Sequence, residues 1–403
     1  MKKQHVFLLG LLTSITADAT AQFSWSQKQD APDNRYEGVA FAAGDKVYYG
    51  LGQNASLGYA DNKFYKYDPV TNTWDTIALF PGTPRRLASA FSVGGKGYVG
   101  FGVDPVTTLQ LSDLWEYDPA QNLWTQKTGL PAASGWLAGT ATASATKGYA
   151  GLGLHDHTSG FLNLNWWEYD PVADTWSQKN DIPGFGLYQP SSFTIGDSIY
   201  IVCGMGSALL VPTREVWLFD IQSNIWTQQP DFPGSARTSV SAFTIAGTGY
   251  AGYGLGNGAT DLFNDFYSYD ASSGIWTPEL FCATALFDAA CATTEKGYVI
   301  NNTSWNSTSP DVWEYADVGT SISALEEENF LNVYPNPSHG IVKINAPHSA
   351  VVEVFDVEGK VLETFHPEAG ENELNLFCLA NGIYYVTMEH AGGVSRMKIC
   401  IMK

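Results

Sequence analysis

A tryptophan returns about every fifty residues through the first 276 residues of this chain. The intervals between successive members are 49, 50, 52, 50 and 50 residues for the series Trp25, Trp74, Trp124, Trp176, Trp226 and Trp276. A fixed period of this length is typical of repeat folds, in which one unit cannot bury its apolar surface alone and stacks on its neighbours. The chain is therefore predicted to be built from stacked copies of one unit.

Each repeat has the marks of short antiparallel strands. An aspartate stands six residues before five of the tryptophans, as in YDPVTNTW ending at Trp74, and its carboxylate is expected to hydrogen-bond the backbone of a tight turn. Upstream lies a run that ends in glycine, such as YVGFG at 98–102, where glycine permits close packing beside large aromatic rings. One unit thus predicts four short strands, for example LASAFSVG, KGYVGFG, DLWEYD and WTQKTG.

These repeated residues resemble the kelch β-propeller family, which has a glycine pair, a Tyr-Asp and a tryptophan six residues later. The resemblance covers roughly residues 23–318, and the propeller domain is expected to comprise residues 22–318. Two features depart from the family pattern. The two glycines are separated by one residue instead of being adjacent, and the last unit has Ala316 where aspartate is expected. The last unit also lacks a tryptophan strand, whereas FSWSQK around Trp25 has no unit before it. The expected fold is all-β, with a six-bladed propeller closed by its N-terminal strand, which removes open sheet edges.

The N-terminal residues predict a secretory signal peptide. Lys2 and Lys3 precede an apolar stretch and then Ala19-Thr20-Ala21, so that cleavage is expected after residues 1–21. No later stretch reaches the roughly 18 consecutive apolar residues of a membrane-spanning helix, and no transmembrane segment is expected. Residues 319–329 are polar and acidic and are interpreted as a linker between two domains.

Residues 330–403 alternate apolar and polar positions in short runs, which predicts a small C-terminal β-sandwich. The runs LNVYPNPSHGIVKI, VEVFDVEGKVL and NLFCLANGIYYV resemble the C-terminal sorting domain of type IX secretion in Bacteroidota. The residues that carry the resemblance are Tyr334, Pro335, Asn336, Pro337, Gly340, Gly359 and Gly382. The resemblance implies recognition by the type IX machinery and a secreted or outer-membrane surface location. The alternative is an ordinary binding sandwich.

Composition narrows the classes of partner. The 41 acidic and 21 basic residues give a net charge of −20, which argues against a nucleic-acid partner because phosphate binding needs clustered Lys and Arg. The five cysteines include no CxxC pair, so a metal cluster is not expected. Disulfides between Cys282 and Cys291 and between Cys378 and Cys400 remain open, and Cys203 is predicted to be a buried small apolar residue.

Ligand binding is expected on the face formed by the loops that enter each first strand and those between second and third strands. Arginine and aromatic residues recur there and predict a ring able to hold a carboxylate or a sugar. The alternative is that they pin neighbouring blades together. The candidate ligand-binding residues are Arg35, Arg86, Trp136, Tyr188 and Arg237, with Trp305 as a further stacking surface for a sugar ring.

Four acidic residues precede third strands at one position and are predicted to make a repeated structural hydrogen bond: Asp113, Glu215, Asp265 and Asp311. His155 and His157 lie two residues apart, but a metal site needs a third protein ligand. Copper chemistry of the galactose-oxidase kind needs histidines and tyrosines from different blades and is not expected. No catalytic residue, metal ligand or cofactor is therefore assigned.

The sequence favours a secreted or cell-surface propeller that binds a glycan or a protein without catalysing a reaction. The alternative is a carbohydrate-active enzyme that resembles the sialic-acid mutarotase of the kelch family. For that enzyme Arg214 and Glu215 are the candidate pair, because general acid–base catalysis needs a carboxylate within hydrogen-bond reach of the sugar hydroxyl.

Overall fold

The chain forms two compact units, Met1–Thr320 and Ser321–Lys403, in a computed structural model. The predicted signal peptide and the 319–329 linker lie outside the described residues, as do Trp305 and Pro337. The structure describes residues 23–131, 135–155, 161–206, 210–257, 261–281, 290–293, 295–304, 307–317, 333–336, 338–346, 349–356, 359–390 and 393–402.

The described part of the first unit consists of strands, turns and loops. Within the same residues no helix has the length and hydropathy that a membrane span needs. The strands are β1 (Phe23–Gln27), β2 (Arg35–Tyr36), β3 (Val39–Ala43), β4 (Lys46–Gly50), β5 (Gln53–Asn54), β6 (Tyr59–Ala60), β7 (Phe64–Asp68), β8 (Thr73–Thr76), β9 (Ser89–Val93), β10 (Lys96–Gly100), β11 (Leu114–Asp118), β12 (Leu123–Lys127), β13 (Thr140–Ala143), β14 (Gly148–Gly151), β15 (Trp166–Asp170), β16 (Thr175–Gln178), β17 (Ser191–Ile195), β18 (Ser198–Val202), β19 (Met205–Gly206), β20 (Val211–Pro212), β21 (Val216–Asp220), β22 (Ile225–Gln229), β23 (Ser241–Ile245), β24 (Thr248–Gly252), β25 (Phe266–Asp270), β26 (Ile275–Pro278), β27 (Ala290–Thr293), β28 (Gly297–Ser304) and β29 (Ser307–Asp317).

Six four-stranded antiparallel sheets contain most of these strands. In order they are sheet 1 (β3-β4-β7-β8), sheet 2 (β9 to β12), sheet 3 (β13 to β16), sheet 4 (β17-β18-β21-β22), sheet 5 (β23 to β26) and sheet 6 (β27-β28-β29-β1). In sheet 6 the fourth strand is β1, which pairs with β29 so that Phe23 lies opposite Asp317 and Gln27 opposite Trp313. The short strands β2, β5 and β6 form a further sheet, and β19 pairs with β20.

The first strands of neighbouring sheets pack against each other. The contacting pairs are β3 with β9, β9 with β13, β13 with β17, β17 with β23, β23 with β27, and β27 with β3. Each first strand therefore has the first strand of another sheet on either side. The mostly small side chains of the first strands of sheets 1 to 5 surround a cavity of about 290 Å³.

The Asp-to-Trp segments form the tight turns that the sequence predicts. Asp68 Oδ1 accepts a hydrogen bond from the Val70 amide at 2.9 Å, and Asp118 accepts one from the Ala120 amide at 2.9 Å. The tryptophans link neighbouring sheets through their indole N–H groups. The acceptors are the Leu280 carbonyl for Trp25, Gln29 for Trp74, Ala78 for Trp124, Thr128 for Trp176 and Asn180 for Trp226.

The core between neighbouring sheets pairs a large residue with a glycine. The ring of Phe91 in sheet 2 packs where Gly148 in sheet 3 has no side chain, and a Cβ at Gly148 would overlap that ring. The same relation joins Phe41 with Gly97, Phe193 with Gly249, and Phe243 with Gly297. In sheets 2, 3, 5 and 6 the glycine at this position is therefore required by the close approach of a neighbouring ring.

The second unit contains two antiparallel sheets that share one apolar core. One sheet has the order β30-β31-β34 and the other β33-β32-β35-β36, and buried residues of both, such as Val342, Val354 and Val386, belong to one cluster. The strands are β30 (Val333–Tyr334), β31 (Ile341–Ala346), β32 (Val352–Phe355), β33 (Val361–Phe365), β34 (Gly370–Asn375), β35 (Gly382–His390) and β36 (Gly393–Ile401).

The cysteines settle one open question. Cys378 and Cys400 do not form a disulfide with each other; the Cys378 side chain hydrogen-bonds Glu363 at 3.1 Å. Cys203 is buried in the first unit, as predicted. The other predicted pair lies outside the described residues, since neither Cys282 nor the side chain of Cys291 is described.

Candidate functional site

Three arginines lie buried at one position of the repeat, with exposures of 0% for Arg35, Arg85 and Arg237. Arg85 donates two hydrogen bonds to Asp113, from Nη1 to Oδ1 at 2.6 Å and from Nη2 to Oδ2 at 2.8 Å. Arg237 binds Asp265 in the same two-pronged way, at 2.5 and 2.8 Å. In both pairs the two residues are 28 positions apart. Each pair fixes the loop that enters a sheet to the beginning of that sheet's third strand.

The guanidinium groups of Arg85 and Arg237 have equivalent further neighbours in their own repeats. Arg85 Nη1 also donates to the Phe101 carbonyl at 3.2 Å, and the Phe80 ring lies 5.0 Å from Arg85 Cζ. The corresponding neighbours of Arg237 are the Tyr253 carbonyl at 2.9 Å and the Phe232 ring at 4.9 Å. A carboxylate, a carbonyl and an aromatic ring thus compensate the guanidinium charge inside the fold.

The guanidinium group of Arg35 donates hydrogen bonds to two carboxylates. It donates from Nη2 to Asp33 Oδ2 at 2.7 Å and from Nη1 to Asp61 Oδ1 at 2.7 Å. Tyr65 donates its hydroxyl to the same Asp33 oxygen. Burial alone would raise the pKa of Asp33, but the hydrogen bonds from Tyr65 and Arg35 hold it below its ordinary value.

This burial revises the predicted arginine ring. Arg35 and Arg237 are expected from the sequence to face a ligand, but their guanidinium groups are enclosed and bound to carboxylates of their own sheets. Trp136 holds the same position in sheet 3 and is also 0% exposed, stacked on Phe101 at 4.2 Å. The position faces the interior, where the third strand begins. The contacts agree with the alternative structural role. The arginine pairs act within one sheet, whereas Trp136 packs against Phe101 of the neighbouring sheet 2.

A cavity of about 140 Å³ opens where the first strands of five sheets begin. Its rim carries Glu37, Leu87, Ala138, Gln189 and Ser239, with positive φ values of 58°, 55°, 52°, 50° and 54°. Each amide from residue 87 onward donates to the carbonyl of the preceding rim residue, at 3.2, 3.1, 2.9 and 3.1 Å. The rim is therefore a chain of backbone hydrogen bonds that crosses from sheet to sheet and holds its side chains on a rigid base.

Polar side chains are concentrated at this rim. Arg86 Nη1 lies 3.4 Å from Glu37 Oε2, and the two side chains are 31% and 13% exposed. Arg86 Nε and Ser239 Oγ are buried and have no hydrogen-bond partner among the described residues. Burial and the charge of Glu37 raise the pKa of the neighbouring Tyr36. The cavity is thus lined by an unpaired hydroxyl, that of Ser239, and by one member of an ion pair, Glu37, which are polar groups able to orient a small ligand.

The structure brings two predicted residues next to this rim. Arg86 precedes Leu87 of the rim, and Tyr188 precedes Gln189. Tyr188 is half-buried and packs beside the apolar cluster that contains Leu137. The sequence reasoning missed Glu37, Gln189 and Ser239, which the repeat aligns with Leu87 and Ala138; polar residues at a position that other repeats fill with apolar ones were the available signal.

The two residues of the candidate enzyme pair have different hydrogen-bond partners. Arg214 Nη2 bonds Asp231 Oδ2 at 3.2 Å, whereas Glu215 accepts a hydrogen bond from Trp217 Nε1 at 2.9 Å. His155 is exposed, and His157 lies outside the described residues. Within the described ranges, no group of three or more His, Cys, Asp or Glu side chains is placed to hold a metal ion.

The motif residues of the second unit tie its first segment to its last strand. Asn336 donates from Nδ2 to the Lys398 carbonyl at 2.8 Å and accepts from the Cys400 amide at 2.9 Å. The Tyr334–Pro335 peptide is cis, and Tyr334 donates to Glu371 at 2.7 Å. Gly340 has a φ of 113°, and a Cβ there would meet the Phe377 ring. Gly359 has a φ of 81°, and Gly382 begins β35.

Residues 332–402 match the family described as Secretion system C-terminal sorting domain. The second unit is a secretion sorting domain. The predicted sorting domain is thereby confirmed, and it indicates secretion to the cell surface or exterior. No curated protein matches the chain.

The first unit is similar to a solved structure titled "Structure of YjhT". The TM-score is 0.61 at 18% sequence identity, and the match covers 71% of this chain and 95% of that chain. YjhT is a kelch-type propeller, so the likeness supports a propeller fold for the first unit. At this identity the likeness concerns the fold alone.

Proposed function

We propose that this protein is a secreted six-bladed propeller that binds a glycan or a protein over the 140 Å³ cavity, here called the axial cavity. Three observations support the blade count and closure: six four-stranded sheets, first strands that contact their neighbours from β3 to β27 and back, and β1 as the fourth strand of sheet 6. The sorting domain supports export by type IX secretion in a Bacteroidota-like cell.

The rim of the 140 Å³ cavity is the observation that carries the binding role. Arg86 has an unpaired donor, Glu37 lies beside it, and Ser239 has an unpaired hydroxyl on the opposite stretch of the rim. Buried polar atoms without partners cost stability, which a ligand with hydroxyl or amide groups would recover. Backbone hydrogen bonds between sheets hold the rim in place, so that little ordering is needed on binding.

The test is a saccharide array probed with the full-length secreted chain, with and without EDTA. A saccharide that binds wild-type protein is expected to bind the Arg86→Ala and Glu37→Gln variants about tenfold more weakly, since each loses a charge-assisted hydrogen bond. The matched control is Lys66→Ala, whose ion pair with Asp75 lies on an outer surface and whose side chain is 33% exposed. Unchanged binding in both rim variants would contradict the cavity as the site. If no saccharide binds, a protein ligand is to be sought with the same variants.

The alternative, a sugar mutarotase, gains one observation. A carboxylate and a guanidinium, Glu37 and Arg86, stand together at a cavity, which is the pairing that acid–base work on an acidic sugar needs. Saturation-transfer NMR on sialic acid measures the interconversion of its anomers. Acceleration by wild-type protein that is lost in Glu37→Gln would support the enzyme; no acceleration over buffer would exclude it for this sugar.

A further inference from the structure

Sheet 4 keeps the carboxylate of the buried arginine pair but lacks the arginine. Leu187 stands at the arginine position, and Glu215 follows it 28 residues later, the spacing of Arg85 to Asp113 and of Arg237 to Asp265. Ile182 replaces the phenylalanine that lies five residues before each of those arginines. Cys203 has the positive φ, 58°, of the residue whose carbonyl receives the guanidinium in the other sheets.

Glu215 consequently has no cationic partner within the described residues. Its hydrogen bond comes from the neutral indole of Trp217 at 2.9 Å. The adjacent Arg214 turns to Asp231, at 3.2 Å. In sheets 2 and 5 the equivalent carboxylate is covered by two guanidinium N–H groups, so the site in sheet 4 is incomplete by the standard of its own repeats.

A cavity of about 430 Å³ lies where that guanidinium is missing. Leu187, Glu215, Thr213 and Trp217 line it, and Thr213 Oγ1 is buried without a hydrogen-bond partner in the described structure. Phe185 lines the same cavity and is 69% exposed. The cavity therefore offers a carboxylate, a hydroxyl and aromatic rings to a group that enters from solvent.

We propose that this cavity binds the guanidinium group of an arginine side chain from a protein partner. A carboxylate accepts the fork of guanidinium N–H groups with two oxygens, and aromatic faces attract its charge. The same chain builds this arrangement internally at Arg85 and Arg237. The net charge of −20 also draws cationic partners towards the protein. This site is separate from the rim of the axial cavity and does not depend on the function proposed for it.

Calorimetric titration of the full chain with acetyl-Gly-Arg-Gly-amide tests the proposal. The lysine and citrulline peptides and free L-arginine serve as comparisons. We expect the arginine peptide to bind at least about tenfold more tightly than the citrulline peptide, which has the same shape without the charge. Free L-arginine is expected to bind more weakly than the peptide, because its α-carboxylate meets an acidic surface. Equal affinity for arginine and citrulline would overturn the proposal, and tighter binding of free arginine would overturn the protein partner.

Two variants locate the site. Glu215→Gln is expected to weaken the arginine peptide about tenfold or more, whereas Asp45→Asn, which removes the same charge from a side chain that is 74% exposed elsewhere, leaves it unchanged. Leu187→Arg supplies the arginine from within and is expected to abolish binding. If Leu187→Arg does not fold, Glu215→Gln still tests the site. An undiminished affinity of Glu215→Gln for the arginine peptide would overturn the assignment.

Discussion

Gly148→Ile is expected to lower the free energy of unfolding by about 3 kcal/mol or more, and adding Phe91→Thr to the same chain is expected to recover most of that loss. A Cβ at Gly148 would overlap the Phe91 ring, which is buried between sheets 2 and 3. Interiors packed to crystal density cannot absorb a branched side chain at such a point without moving backbone.

The repeat itself supplies the compensating pair. Phe91 pairs with Tyr98 across sheet 2, and the residue that pairs with Tyr149 in sheet 3 is Thr142 instead. At the position of Gly148, which precedes Tyr149, sheet 4 has Ile199. A large first-strand residue thus goes with glycine in the next sheet, and a small one goes with a branched residue. The double variant reproduces in sheets 2 and 3 the combination found in sheets 3 and 4.

Urea unfolding followed by tryptophan fluorescence is the appropriate measurement. All 13 tryptophans precede residue 318, so the signal reports on the first unit and not on the sorting domain. Phe91→Thr alone is expected to be destabilising through the cavity it leaves. The double-mutant cycle should give a favourable coupling of about 2 kcal/mol or more. Additive losses would mean that the ring and the glycine are not packed as the structure has them.

The periodic elements were predictable because their causes are local. The aspartate turns depend on a side chain bonding an amide two residues on, as Asp68 does with Val70, and the tryptophan spacing marks the fourth strand of each sheet. The indole bonds, such as Trp124 to Ala78, join positions 46 residues apart and explain why the period is so regular. These features needed no knowledge of how the sheets face one another.

The candidate site was less predictable because burial is decided by tertiary structure. Arg85 and Arg86 are neighbours in sequence, yet Arg85 is enclosed by Asp113 and Phe80 while Arg86 reaches the rim. Sequence spacing placed arginine near the end of the sheets where the 140 Å³ cavity opens, but it did not separate the inward position from the outward one. Glu37 was missed for the same reason, since its place at the cavity depends on five first strands beginning around it.

Asp113→Ala is expected to lower the free energy of unfolding by about 3–5 kcal/mol, because it leaves the Arg85 guanidinium buried without its carboxylate. Asp75→Ala, which breaks an ion pair with Lys66 on an exposed surface, is the matched control and should cost less than about 1 kcal/mol. Replacing both partners, by Arg85→Leu with Asp113→Leu, should recover much of the loss, since no buried charge then remains. A loss in Asp113→Ala no larger than in the control would contradict a buried, paired guanidinium.

The same pair predicts how the difference depends on pH. Burial alone would raise the pKa of Asp113, but the hydrogen bond and charge of Arg85 hold it below its ordinary value of 3.8. A carboxyl whose pKa is lower in the folded state stabilises the fold above its unfolded pKa, and this contribution is lost as pH falls through the folded pKa. The gap in unfolding free energy between wild-type protein and Asp113→Ala should therefore be constant near neutral pH and narrow below about pH 4. A gap that stays constant into that acidic range would mean that Asp113 is not ionised beside Arg85, because only the charged carboxylate gives the pair its pH dependence.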